Sequence, residues 1–300
     1  MKSPEATTEP IPPESVPLAR TLPEEPGPNE PRPAGPRVPA VPAVSLRALV
    51  WPGPLVGLRS ITFGVVTGAL AFASTCAGLF LRGPTRKRLE RWTTQRTMRM
   101  GARLFGLEIV SVGSPPSTSE RPWLVVANHR SGLDTLVVRQ FLHGRSLAKS
   151  RVATWPVLGA IVRSHGTVFV DRSGAGSRVA AIRGIRTALA EGDNVIVFPE
   201  GMTAAGDDVH PFFRGAFAAA RGYPVLCVGI AMPTGTEYIR EEPMPMHLWK
   251  LLWRTRLRVG VAVGEVYQGP DDSAAAAVEA RRRTTVLVSK ARCALESREH

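Results

Sequence analysis

Three stretches of this sequence end an apolar run on residues able to do chemistry. The first is WLVVANHRSGLD, Trp123 to Asp134, where the apolar run stops at Ala127 and His129 and Asp134 follow, separated by four residues. Gly132 gives the intervening segment freedom to turn, and a helix starting near Leu133 would fold the carboxylate back onto the imidazole. A carboxylate on one ring nitrogen fixes the tautomer and raises the basicity of the other. The pair would serve as a general base for a hydroxyl and need no enzyme nucleophile. Each residue also has an ordinary reading: a hydrogen-bonded loop histidine, and an aspartate capping a helix.

The second stretch, GTVFVDR (Gly166 to Arg172), passes from apolar residues to Asp171 and Arg172, ahead of the small-residue loop Ser173 to Ser177. A guanidinium beside helix N-terminal amides would hold phosphate, although a surface Asp–Arg pair has the same sequence. The loop lacks the Gly-Lys-Ser/Thr of a nucleotide-binding P-loop. In the third stretch, NVIVFPEGMT (Asn194 to Thr203), Glu200 and Gly201 follow a near-continuous apolar run. A carboxylate there accepts hydrogen bonds from a polyol hydroxyl or a neighbouring arginine, and Pro199 with Gly201 also reads simply as a turn.

Side chains at the ends of apolar runs need a sheet to hold them. The pattern predicts strands at Trp123–Ala127, Thr167–Val170, Asn194–Phe198, Val225–Met232 and Leu257–Val263. Helices are predicted at about 134–142, 174–191, 214–221 and 273–296, the second stopped by Gly192. Alternation of this kind indicates an α/β fold, in which sites gather at the C-terminal ends of strands. No internal repeat is present.

The remaining composition narrows the function classes. A chain of 300 residues, 44% hydrophobic and 21% charged, buries a core without disulfides or structural metals. Cys76, Cys227 and Cys293 are isolated, which excludes a disulfide framework and a CxxC zinc site. Lys and Arg number 38 against 25 Asp and Glu, a balance of +13 that points to an anionic partner. Residues 1–60 hold six basic and six acidic side chains, so the excess lies in 61–300.

Residues 1–45 contain 13 of the 27 prolines and lack apolar periodicity, and they read as a disordered tail or a proline-rich docking ligand. Their start lacks the basic-then-apolar pattern of a secretory signal. Ser60 to Leu81 is a run of 22 uncharged residues, and a bilayer core takes ~20 apolar residues as helix. We expect a membrane helix within 46–103, spanning or re-entrant, with a buried core helix as the alternative. Arg82, Arg86, Lys87, Arg88, Arg91, Arg96, Arg99 and Arg103 follow it, which places the C-terminal side in the cytoplasm and beside anionic headgroups.

Together the three loaded strand ends resemble the glycerolipid acyltransferase family of the lysophosphatidate acyltransferase type. The family's NHxxxxD is NHRSGLD here, GxxFxxR is GTVFVDR, and FPEG is Phe198 to Gly201. The fourth motif, an apolar strand opened by proline, matches Tyr223-Pro224-Val225 to Ile230, and TWPVLGAIVRSHG and PFFRGAF also match. The resemblance covers about 105–265 and implies a mixed, mostly parallel sheet flanked by helices, with the acyltransferase domain at 104–300.

The resemblance implies roles residue by residue. His129 is the general base on an acceptor hydroxyl that attacks an acyl thioester, and Asp134 orients it. Arg172 binds the acceptor phosphate, and Glu200 and Gly201 shape the acceptor pocket. Asn128, Lys149 and Arg214 join them in substrate binding, with Arg163 a further contact. Neither a metal nor another cofactor is implied, acyl-CoA or acyl carrier protein being the co-substrate. The implied acceptor is 1-acyl-sn-glycerol-3-phosphate, giving phosphatidate. Met202-Thr203-Ala204 follows FPEG where many members carry Thr-Arg-Ser. That departure looks like members acting on other lyso-lipids, such as a lyso-ornithine lipid.

The resemblance also implies a place at the cell membrane with the active site on the cytoplasmic face. Two other readings fit parts of the sequence. Acyl-ester hydrolysis needs a nucleophile and no GxSxG is present, Ser131 being the one serine close to His129. A basic membrane or nucleic-acid adaptor fits the charge, yet aromatics are 6% and do not interleave with the basic residues. The adaptor also leaves the loaded strand ends unexplained, so no nucleic-acid partner is expected.

Overall fold

The computed structural model describes residues 53–116, 121–149, 167–170, 175–238, 244–254 and 256–297. The proline-rich 1–45 segment, Arg163 and Arg172 lie outside them. Apolar runs make strands β1 (Leu107–Val112), β2 (Leu124–Ala127), β3 (Arg145–Lys149), β4 (Val168–Val170), β5 (Val195–Val197), β6 (Pro224–Ala231) and β7 (Leu257–Gln268). Among the described residues these form one sheet in the order β1-β7-β6-β2-β5-β3-β4. Every neighbouring pair is parallel except β6 and β7. The sheet is therefore mixed and mostly parallel, as the family resemblance implied.

The strands are apolar on both sides because both faces of the sheet are covered. Successive residues alternate between two cores. Leu124, Val126, Val195, Val197 and Cys227 pack with helices α4 (Ala175–Ala190), α5 (Gly215–Ala219) and α7 (Ser273–Glu296). Val125, Ala127, Ile196, Leu226 and Val228 pack on the other face, with α3 (Asp134–Phe141) and α6 (Met244–Leu252). The N-terminus of α7 is capped by Asp272, whose carboxylate accepts the Ala275 N–H at 2.8 Å. Two glycines let α7 lie flush on the sheet. A Cβ on Gly229 would sit 2.3 Å from the Leu287 carbonyl carbon, and one on Gly260 would sit 2.2 Å from the Ala291 oxygen.

Helices α1 (Gly53–Phe80) and α2 (Gly83–Leu104) form a hairpin ahead of the sheet. Gly83, at φ +62°, opens the return helix. Gly101 brings α2 against Leu136 of α3 and the ring of Phe63 of α1. Gln140 of α3 donates to the Met98 carbonyl at 3.0 Å, which fastens the hairpin to the helix that Asp134 begins. The expected membrane helix needs correcting in form. The helix starts at Gly53, seven residues early, and includes Arg59. Among the described residues no helix is long and apolar enough to cross a membrane. Gly, Ala, Ser and Thr dilute its apolar character.

Candidate active site

Strands β2 and β5 are adjacent and parallel, Leu124 standing opposite Val195, so the segments that leave their C-terminal ends meet. His129 follows β2, and Phe198 to Glu200 follow β5. The backbone turns through Ser131 and Leu133 into α3, whose first residue is Asp134. Asp134 is fully buried, and its Oδ2 lies 2.7 Å from His129 Nδ1. The same oxygen accepts the backbone N–H groups of Arg130 and Ser131 at 2.5 and 2.8 Å. The carboxylate thus shapes the turn and orients the ring. With Nδ1–H donated to Asp134, Nε2 is left as the acceptor nitrogen, on a side chain 24% exposed.

The FPEG segment supports this turn from below. The Phe198 ring stacks on the His129 ring, with centroids 4.4 Å apart and planes 16° from parallel. Gly201, at φ +70°, closes a tight turn in which its N–H donates to the Phe198 carbonyl at 3.1 Å. That reversal points Glu200 inward, where it is buried. Glu200 accepts the His129 backbone N–H at 2.9 Å and the His210 backbone N–H at 3.2 Å. Both its oxygens also lie 3.2 Å from Arg130 Nη1.

Arg130 carries a role that the sequence did not reveal. Its side chain is fully buried, and it donates to the carbonyls of its own neighbour His129 at 2.8 Å and of Asp208 at 2.6 Å. With Glu200 it binds the β2 turn to the 198–210 segment. Ser131, in sequence only a serine near the imidazole, also has a distant partner. Its Oγ lies 3.0 Å from His247 Nε2 of α6, and both side chains are buried.

The other expected residues fall in different places. Asn128 is fully buried and pairs with β6 through both ends of its amide: Nδ2 donates to the Ile230 carbonyl, and Oδ1 accepts the Ile230 N–H, each at 2.8 Å. It continues the β2–β6 ladder past the end of β2. Lys149 closes β3 in register with Val170, at the sheet edge where β2 and β5 also end. Arg214 is exposed and immediately precedes α5. Among the described residues no group of His, Cys, Asp and Glu could hold a metal ion.

Known proteins resemble this chain in sequence and in fold. Residues 108–232 match the family model described as Acyltransferase. A lyso-ornithine lipid O-acyltransferase from Brucella abortus is 37% identical over 152 residues, covering 49% of this chain and 56% of that one. A 1-acyl-sn-glycerol-3-phosphate acyltransferase from Neisseria gonorrhoeae is 32% identical over 165 residues, covering 52% of this chain and 64% of that one. The chain thus spans between about half and two thirds of these relatives' lengths. The crystal structure of the 1-acyl-sn-glycerophosphate acyltransferase PlsC from Thermotoga maritima superposes with a TM-score of 0.63. It covers 82% of this chain and 96% of its own at 22% identity, a likeness of fold.

Proposed function

We propose, from the premise that residues 108–232 are an acyltransferase-family domain, that the chain is an O-acyltransferase. It moves a fatty acyl group from a thioester to the hydroxyl of a lyso-lipid. The observation that carries this reading is the His129–Asp134 pair at 2.7 Å, with the ring partly open to solvent and no nucleophile needed beyond the acceptor. His129 Nε2 takes the hydroxyl proton as the oxygen attacks the thioester carbonyl. Asp134 stabilises the imidazolium that forms. The tetrahedral intermediate collapses, its C–S bond breaks, and the proton passes from His129 to the departing thiolate. The ester and a free thiol result, with acyl-CoA or acyl carrier protein as the donor.

The acceptor we propose is 1-acyl-sn-glycerol-3-phosphate, with Arg172 on its phosphate. The reading is supported by relatives that carry this name and by the GTVFVDR motif. A second acceptor, a lyso-ornithine lipid, is favoured by the Brucella relative and by Met202-Thr203 after FPEG. A panel of lyso-lipids offered with labelled acyl-CoA and acyl carrier protein, read by product mass, decides between them. No acylated product from any lyso-lipid would defeat the reading.

We place the protein at the cell membrane, with the site on the cytoplasmic face. The hairpin supports this. Leu58, Ile61, Val65, Phe72 and Phe80 are between 62% and 85% exposed along α1, an apolar surface that water disfavours and a bilayer accepts. Helix α2 brings Arg86, Lys87, Arg88, Arg91, Arg96, Arg99 and Arg103, each worth ~1 kcal/mol near anionic headgroups.

A further inference from the structure

Helix α6, Met244–Leu252, has two faces with different neighbours. Its inner face rests on the catalytic turn. His247 Nε2 lies 3.0 Å from Ser131 Oγ, and a Cβ on Gly132 would meet Met244 Sδ at 2.7 Å and Leu248 Cδ2 at 3.4 Å. Tyr238 adds a third tie: its N–H donates to the Arg130 carbonyl at 2.7 Å, and its ring lies 5.1 Å from that of His247. His247 and Leu251 are accordingly buried.

The outer face is apolar and open. Met246 and Trp249 are each 50% exposed, one helical turn apart. Trp253 follows a turn later, its ring meeting that of Trp249 edge-on at 5.7 Å. Lys250 and Arg254 are exposed beside them, and the helix contains no acidic residue. Arg256, next along, is occupied by Glu108 at 2.9 Å.

We propose that this outer face of α6 docks on an anionic bilayer surface, as a contact separate from the α1–α2 hairpin. Tryptophan settles at the boundary between acyl chains and headgroups, where its ring is apolar and its N–H is wet. Basic side chains beside such a face meet anionic headgroups, the composition of an interfacial helix. A helix is about 10 Å across, so docking of the outer face holds the turn that carries His129 about that far above the lipid. The consequence for catalysis rests on the acyltransferase reading. The docking does not, and its test needs no turnover.

The full chain is mixed with phosphatidylglycerol–phosphatidylcholine vesicles whose acyl chains carry bromine, which quenches tryptophan on contact. Subtracting the emission of Trp249→Phe from that of the wild type isolates Trp249. We expect that contribution to fall at least several-fold on brominated vesicles relative to unbrominated ones. Unquenched Trp249 emission in vesicle-bound protein overturns the proposal, as does a chain that fails to bind these vesicles. Absent acyl transfer with Trp249 quenched would defeat the proposed reaction and leave the docking standing.

Discussion

His129 Nδ1 and Asp134 Oδ2 stand 2.7 Å apart, and the same carboxylate oxygen holds the amides of the two residues after the histidine. One oxygen therefore sets both the ring and the loop that presents it. His129→Ala is expected to lower kcat by at least 10²–10⁴-fold, the usual span for a lost general base. The side chain is partly exposed and Asp134 keeps its two backbone donors, so the melting temperature is expected to fall less than in Asp134→Asn. Asp134→Asn is expected to lose activity and stability together, because a neutral amide oxygen holds three N–H groups more weakly than a carboxylate does, and the amide NH2 would then occupy the buried place of Oδ1, where no acceptor is found among the described residues. Steady-state kinetics beside thermal melts distinguish the two profiles.

Glu200 is predicted to act through structure. It meets Arg130 in a pair with no solvent exposure on either side chain. Removing one partner strands the other charge, at a cost of roughly 3–5 kcal/mol. Glu200→Gln should lower the urea midpoint accordingly, and lost activity should track lost fold. A fully stable Glu200→Gln with altered acceptor KM would assign the carboxylate to substrate contact instead.

Arg172→Ala is expected to raise KM for the phosphate-bearing acceptor about tenfold or more, in keeping with a lost charge-assisted hydrogen bond. KM for the acyl thioester should stay near its wild-type value. Equal changes in both would refute phosphate binding by this residue.

Two glycines under α7 predict failure to fold. Gly229→Ala and Gly260→Ala push a methyl into helix backbone at 2.3 and 2.2 Å, and backbone cannot swing aside as a side chain can. Both should accumulate as insoluble protein. Gly215→Ala meets no atom within 4 Å and should be tolerated or slightly stabilising, by up to ~1 kcal/mol. Soluble yield and melting temperature report the contrast.

Burial moves the Cys227 thiol up from 9.0 to about 11. It should resist a disulfide reagent in the native state, while exposed Cys293 reacts at once. The sign for stability follows. Between about pH 9 and 11 the unfolded thiol gives up its proton and the folded one keeps it, so this contribution is present below pH 9 and lost as pH rises toward 11. Cys227→Ala should flatten that alkaline decline in a pH series of urea titrations.

Much of the scaffold was legible because buried parallel strands are continuous apolar runs. The strands after Trp123, Asn194 and Pro224 stand where those runs stand. Strands β1 and β3 do not stand out in the sequence. LEIVSV mixes Glu108 and Ser111 into an exposed edge, and RSLAK begins and ends on a charge. Helix α6, MPMHLWKLL, is nine residues long and too short for its periodicity to stand out. The His129–Asp134 contact was readable because five positions of chain determine it. The partners of Asn128 and Arg130 were not, since Ile230 lies 102 positions away and Glu200 lies 70 positions away. Nothing local distinguishes a buried arginine from a solvated one.

The Arg130 clamp also sets the order in which a ribosome delivers the parts of the candidate site. A nascent chain that has emerged only through α4 already contains the histidine and the aspartate. It lacks the glutamate that seats the guanidinium, the phenylalanine beneath the imidazole and the Asp208 carbonyl. The proposed general base therefore gains its full setting only once residue 208 has emerged, and a product terminated earlier holds the histidine and the aspartate without the frame that seats them.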